Sequence, residues 1–416
     1  MLVFFFILFL IIGVPIGVAT GFSAVIPMLK QNMSLVSASQ KMYAGVDSFS
    51  LMAIPFFIFA GDIMLKGGAS KRLINFANKI FGWITGGLPI TAVISSMFFA
   101  ALSGSSPATV AGIGGVMIPE LFEKKYDKKF TLGLLCAAGS LGIVIPPSIT
   151  FMTYGVTSEQ SISSLFIAGI IPGIFIGLSL IIYSYVYAKK HNYKTEPVPN
   201  LREVFSAFKE ALFSILMPII ILGGIYLGIA TPTEAAAVSI IYSIIISVFV
   251  YKEIGFKDIL EISRKSVLTS AMIMFVIACS NIFSWYLTFK QIPQMVANSV
   301  LNISDSPIVL MLVINLILLF VGMIMDSSAA VIILTPLLLP IVTSIGINPI
   351  HFGVIMIVNL SIGMLTPPFG LNIYVATGIS KEPLSYVIKG CLPFLALLFF
   401  DLMIITIFPQ LSLALL

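Results

Sequence analysis

Runs of about 20 apolar residues recur from one end of this sequence to the other, each long enough to cross a hydrocarbon core of roughly 30 Å as a helix. With 59% hydrophobic and 9% charged residues in 416, and a mean hydropathy of +1.11, a soluble globular chain is excluded. Alternating strand patterns are absent, which argues against an outer-membrane barrel. The expected fold class is an all-α polytopic membrane protein set in a lipid bilayer. The formal charge of +5 reads as a topology signal rather than as a nucleic-acid surface. Cys136, Cys279 and Cys391 sit in apolar segments without paired spacing, as packing residues do.

Spanning segments are expected at 2–28, 47–65, 131–157, 161–188, 211–230, 233–251, 266–290, 351–377 and 385–410. The first is apolar almost from its start and lacks a basic leader or a small-residue cleavage site, so it reads as a retained helix. Two further stretches, 88–121 and 307–341, are too long for one crossing and are broken in the middle. In the first, residues 103–110 place four hydroxyls, a glycine and a proline in an apolar run; in the second, Gly322, Asp326, Ser327 and Ser328 do the same. Backbone groups cannot stay unpaired in hydrocarbon, so such interruptions are buried in protein or line a polar cavity. Each arm holds about 15 residues, roughly 22 Å of helix, which favours re-entrant hairpins over two full crossings with a short loop.

Charge orients the chain. If both hairpins return to their own side, loops 66–85, 122–130, 189–210, 252–265 and 378–390 share one face and carry 19 of the 22 Lys and Arg. Lys30, Lys41 and Lys290 are left for the other face. The positive-inside rule makes the first face cytoplasmic, with the amino terminus inside and the carboxyl terminus outside. The two hairpins then enter from opposite sides. The connectors 66–85 and 291–306 read as amphipathic arms at the interface.

The interruptions are also related by a constant offset. Ser106 and Ser327 stand 221 residues apart, and the same spacing joins Pro119 to Pro340, Ser140 to Ser361, Gly142 to Gly363, Pro146-Pro147 to Pro367-Pro368, Gly169 to Gly390 and Pro172 to Pro393. The chain therefore divides into a first repeat at 1–190, a cytoplasmic linker at 191–210 and an inverted second repeat at 211–416. Each repeat holds scaffold helices, a hairpin (88–121 or 307–341) and a helix broken at Gly-x-x-x-Pro-Pro (131–157 or 351–377). Inverted repeats with discontinuous helices point to a secondary transporter. Proline removes a backbone donor, so each break frees carbonyls that suit a hard cation such as Na⁺, while half-helix amino termini suit a carboxylate. His191 and His351, the two histidines, read as lying far apart in loops, so no transition-metal site is expected, and no phosphate-binding loop with lysine is present. No nucleophile–base pair is visible, so an enzyme is not expected.

At 103–115 (SGSSPATVAGIGG), 138–148 (AGSLGIVIPPS), 228–238 (GIATPTEAAAV), 326–336 (DSSAAVIILTP) and 363–370 (GMLTPPFG) the chain resembles the large membrane subunit of tripartite ATP-independent periplasmic (TRAP) transporters, in the ion-transporter superfamily. The resemblance covers essentially the whole chain. It implies a bacterial inner-membrane protein working by an elevator mechanism coupled to Na⁺. It also implies two partners: a small membrane subunit of about four helices on a separate chain, and a periplasmic substrate-binding protein. Its substrate would be an organic anion, of the sialic acid class ahead of the C4-dicarboxylate class. The rival reading is a self-sufficient Na⁺/dicarboxylate symporter or an antiporter of the same superfamily. An ion channel would need a continuous wet pore, which paired hairpins from opposite faces argue against.

On this resemblance a first Na⁺ site takes Ser103, Ser105 and Ser106 with the backbone of Gly142, Ile145 and Pro147. A second takes Gly322, Asp326 and Ser327 with Gly363, Thr366 and Pro368. Ser105, Thr150, Thr153 and Asp326 are the candidate substrate contacts. Asp326 is the one acid at a hairpin tip, and an intramembrane carboxylate is costly enough to suggest function, although it could simply cap the returning arm. Glu234, in Thr231-Pro232-Thr233-Glu234, reads instead as part of a helix cap.

Overall fold

The computed structural model describes residues 1–193, 195–292, 295 and 306–416, and every regular element among them is helical. Among the described residues, seven helices are long and apolar enough to cross a bilayer singly: Phe49–Lys66, Ile162–Lys190, Leu201–Tyr226, Pro232–Val250, Phe256–Phe289, Ser327–Ser344 and Leu384–Ile407. Lys128–Val144 and Ile149–Ser158 are long and apolar enough only as a pair, bent by 41° at the break between them. Most of the expected arm at 291–306 lies outside the described residues.

Both long apolar stretches fold into helical hairpins. Gly87–Ser103 turns at Gly104-Ser105 and returns as Ser106–Thr109, a π-helical turn over Val110–Gly114, and Gly115–Glu123. Pro307–Gly322 turns at 323–326 and returns as Ser327–Ser344. The two broken helices follow: Lys128–Val144 with Ile149–Ser158, and Pro349–Gly363 with Leu371–Ser380. Cis peptide bonds lie at Pro146-Pro147 and Pro367-Pro368, again 221 residues apart. The halves exchange partners. Ile149–Ser158 packs on the returning arm of the second hairpin, and Leu371–Ser380 packs on that of the first.

The remaining helices form the frame. Phe256–Phe289, about 51 Å long at 1.5 Å per residue, lies against Ile16–Lys30, Leu35–Val46 and Ala53–Lys66. Pro232–Ile244 packs on Ala53–Lys66. The capping box expected at its start is present: Glu234 accepts from the Thr231 N–H at 2.8 Å, and the Glu234 N–H donates to Thr231 Oγ1 at 3.3 Å. Two frame helices begin earlier than hydropathy suggests, at Leu201 and Phe256 rather than 211 and 266. Their polar first turns are helical because Asn200 and Asp258 satisfy free backbone N–H groups there, a contribution hydropathy does not register.

The expected first span, 2–28, is not one straight helix. Leu2–Ile12 ends at Gly13, whose φ of 84° only glycine adopts without strain, and Ile16–Lys30 runs back along it. Lys30 Nζ thereby lies 6.0 Å over the Phe5 ring, so the amino-terminal helix begins on the face that holds Lys30 and not on the opposite, basic one. Hydropathy cannot distinguish a crossing from a half-depth hairpin when both limbs are apolar.

The charge-based assignment of faces is visible as contacts. Among the described residues, five ion pairs each join two of the five basic loops: Lys66–Glu261, Arg72–Glu253, Lys79–Glu203, Lys124–Glu196 and Lys128–Glu382. Such surface pairs add little stability, but they place these loops on one face. Tyr126 stacks on Tyr193 there at 4.1 Å between ring centroids; burial, then Tyr193 and Glu196, push its phenol up to about 12, so it stays neutral. At the far end of Phe256–Phe289, Lys41 lies over Trp285, Lys290 over Tyr286 and Phe289, and Gln31 donates to the Tyr286 hydroxyl. The three remaining lysines thus share the opposite face.

Candidate functional site

The first hairpin tip is held by hydroxyls and by a glycine contact. At Gly104 the backbone takes φ 58°, and an added Cβ would lie 3.1 Å from the Pro147 carbonyl oxygen. The Gly104 carbonyl accepts from the Ile149 N–H at 3.3 Å, which ties the tip to the start of the second half of the broken helix. Ser103 Oγ and Thr109 Oγ1 are hydrogen-bonded at 2.9 Å, and Thr109 Oγ1 donates to the Ser105 carbonyl at 2.9 Å. Ser105 O and Thr109 Oγ1 occupy the space a side chain at Gly142 would need, so the tip closes directly on the helix backbone. The Ser105 and Ser106 hydroxyls do not cap the returning arm. Ser105 faces the cavity, and Ser106 donates to Asn372 Oδ1 at 2.9 Å.

The second tip is built differently. Asp326 caps Ser327–Ser344 by accepting from the Ser328 N–H at 2.9 Å, and it also lines the cavity, so the two readings of this residue hold together. Gly322 and Gly363 touch backbone to backbone, leaving no room for a Cβ at Gly363. Ser327 Oγ is buried without a hydrogen-bond partner among the described residues. Thr366 Oγ1 donates to Ile362 O at 2.8 Å, and the Pro368 carbonyl accepts from the Tyr374 hydroxyl at 3.3 Å. Pro146 and Pro147 are buried, whereas Pro368 is exposed.

Both tips open on one cavity of about 650 Å³. One wall carries Ser103, Ser105, Ser106, Ile149, Thr150, Asp326 and Ser328; the other carries Ile16, Gly61, Asp62, Lys265, Thr269 and Met272 from the frame. Among its described lining residues the charged groups are Asp62, Lys265 and Asp326, a formal balance of −1. Asp62 accepts from the Ser266 hydroxyl at 2.7 Å. A polar floor on two hairpin tips, closed by mostly apolar frame helices, has the size and character of a small-molecule site.

Of the expected substrate contacts, Ser105, Thr150 and Asp326 lie on the cavity wall. Thr153 does not. Its helix turns it into protein, where it is buried and donates to Ile149 O at 2.8 Å. Gly142 and Gly363 sit directly behind the tips. Ile145 ends its helix with a side chain packed where Gly173 leaves space. Sequence reading missed Thr109, Lys265 and Asn372. Thr109 was within reach, one turn beyond Ser105 and Ser106; the other two are brought in by long-range packing.

The residues 3–411 match the family model of the tripartite ATP-independent periplasmic transporter, DctM component. The chain belongs to that family. It is the large-permease type of chain, a multi-pass inner-membrane transport protein and not an enzyme. It is 42% identical to the isethionate TRAP transporter permease protein DctMQ of Oleidesulfovibrio alaskensis over 97% of its own length, but spans only 64% of that protein. It is 42% identical to the C4-dicarboxylate TRAP transporter large permease protein DctM of Vibrio cholerae, over 97% of this chain and 94% of that one. To the sialic acid TRAP transporter large permease protein SiaM of the same organism it is 40% identical, over 97% and 95%. The fold is also that of the Alcanivorax borkumensis YdaH transporter, with a TM-score of 0.63 at 13% identity over 93% of this chain and 90% of that one.

Proposed function

We propose that this chain is the transport subunit of a Na⁺-coupled importer that carries an organic anion inward by an elevator movement. The observation that carries the proposal is the convergence of Ser105 and Asp326, from two separate hairpins, on one cavity whose opposite wall belongs to the frame. The hairpins and broken helices form the moving body; the frame helices form the fixed one. The halves 1–190 and 211–416 are the inverted repeats that make the body two-sided, joined by the segment 191–210.

The charge balance explains why a cation would be required. An anion entering beside Asp326 meets a carboxylate; at an effective dielectric near 20, two unit charges about 4 Å apart repel by about 4 kcal/mol. Na⁺ bound behind the tips removes that barrier, so anion binding depends on Na⁺. The first ion site takes Ser103, Ser105, Ser106 and Thr109 with the backbone at Gly142, Ile145 and Pro147. The second takes Gly322, Asp326 and Ser327 with Gly363 and Thr366; Pro368 belongs to the same break. Lys265, the basic group on the cavity wall, meets the substrate anion from the frame side.

The relatives' names give an isethionate, a C4-dicarboxylate and a sialic acid transporter, all anion carriers. The substrate is accordingly an organic anion of the sialic acid or C4-dicarboxylate class. The partners are a small membrane subunit and a periplasmic binding protein that delivers the solute. Proteoliposomes holding this chain with both partners test the proposal: solute uptake should follow an inward Na⁺ gradient and stop without the binding protein. Uptake indifferent to Na⁺ would overturn the coupling, and uptake by this chain alone would overturn the partner assignment.

A further inference from the structure

We propose that Asn372 is the positioning residue of the first-hairpin cation site, and that it makes the two repeat-related sites unequal. The inference rests on the reading of Ser106 as a Na⁺ ligand. Asn372 opens the second half of the second broken helix, is fully buried, and reaches across to the other repeat. Its Nδ2 donates to the Cys136 carbonyl at 3.0 Å, and its own carbonyl accepts from Cys136 Sγ at 3.5 Å. A carbonyl can only accept, so the bond to Cys136 fixes which end of the amide carries the NH₂ group.

Oδ1 therefore faces Ser106, and in that 2.9 Å contact the hydroxyl must be the donor. Ser106 is thereby left with its proton committed and its lone pairs free. That is the state in which a hydroxyl ligates a cation, and here it exists before any ion arrives. No reorientation is needed on binding.

The other repeat lacks this device. The position 221 residues before Asn372 is Phe151, which has no amide and packs where Gly169 leaves space. The counterpart of Ser106 is Ser327, 1% exposed, whose hydroxyl has no hydrogen-bond partner among the described residues. The first site is thus organised by protein, through a residue of the opposite repeat. The second relies on Asp326 and leaves Ser327 to be oriented by the ion itself. Filling should begin at the first hairpin, and the ion there depends on the second broken helix staying docked.

The test is a Na⁺ titration of uptake at saturating substrate, with small subunit and binding protein present, for the wild type, Asn372→Leu, Asn372→Asp and Ser106→Ala. Asn372→Leu should raise half-saturating Na⁺ tenfold or more, while substrate half-saturation at saturating Na⁺ moves less than twofold. Asn372→Asp, which keeps an acceptor for Ser106 and, protonated in this buried place, a donor for the Cys136 carbonyl, should move it less than threefold. Melting with and without Na⁺ supplies a second readout: Na⁺ should stabilise Asn372→Asp as it does the wild type, but not Asn372→Leu. If Asn372→Leu does not assemble, Asn372→Ser takes its place in both measurements with the same expected loss. Unchanged Na⁺ dependence in the apolar variant beside a clear shift in Ser106→Ala would overturn the role of Asn372 and leave Ser106 a ligand. No shift in Ser106→Ala either would overturn the cation reading of the first hairpin itself.

Discussion

Asp326 is at once the helix cap of the returning arm and the acid on the cavity wall, and its two duties can be separated. Losing an N-cap costs about 1 kcal/mol, too little to unfold a helix buried on most sides. Asp326→Ala should therefore leave a folded, extractable protein with no Na⁺-dependent uptake. Ser105→Ala should do the same without even the capping loss, because the Ser105 side chain caps nothing. Size-exclusion profile and proteoliposome uptake together check both; unchanged uptake in the pair would remove the tips from the site. By contrast, Thr231→Ala breaks the capping box with Glu234, and neither residue lines the cavity. It should lower stability by about 1 kcal/mol and leave the Na⁺ dependence of uptake where it was.

Between elements, backbone approach decides whether a hairpin can close on its broken helix. At Gly142 a methyl group would collide with Ser105 O and Thr109 Oγ1, and at Gly363 with the backbone of Gly322. Gly142→Ala and Gly363→Ala should each push a tip off its helix, costing about 1–3 kcal/mol by overpacking and abolishing uptake. Thermal melting and transport assays measure the two effects. Gly378 has no atom within 4 Å of the same added methyl group and serves as the control: Gly378→Ala should be tolerated by both criteria. The hairpins themselves were legible because hydroxyl, glycine and proline residues interrupt apolar runs. The fold-back of Leu2–Ile12 was not, because both limbs are apolar and a short Gly13-Val14-Pro15 turn is all that separates them.

For the whole molecule, the cavity lies between two bodies that move past one another in the proposed cycle. Tying them together should stop it. Ala108 and Met272 line opposite walls, and the three native cysteines are buried. A bifunctional thiol reagent joining Ala108→Cys to Met272→Cys should arrest uptake, while the same double variant left untreated keeps it. Activity retained in a verified cross-linked sample would overturn the movement.

Much of this arrangement was determined by the sequence acting locally. Hydropathy set the helices, the Ser/Gly/Pro interruptions set the breaks, and the 19-to-3 division of Lys and Arg set which loops share a face. These are short-range properties of a chain in a bilayer, where each segment must satisfy its own backbone and each cation stays near water. Tertiary structure alone decided that Thr153 points into protein, that Lys265 joins the cavity wall, and that Asn372 holds Ser106 from the second broken helix. Side-chain direction, and contacts between residues 266 apart, depend on how whole helices dock; no pattern within one helix encodes them.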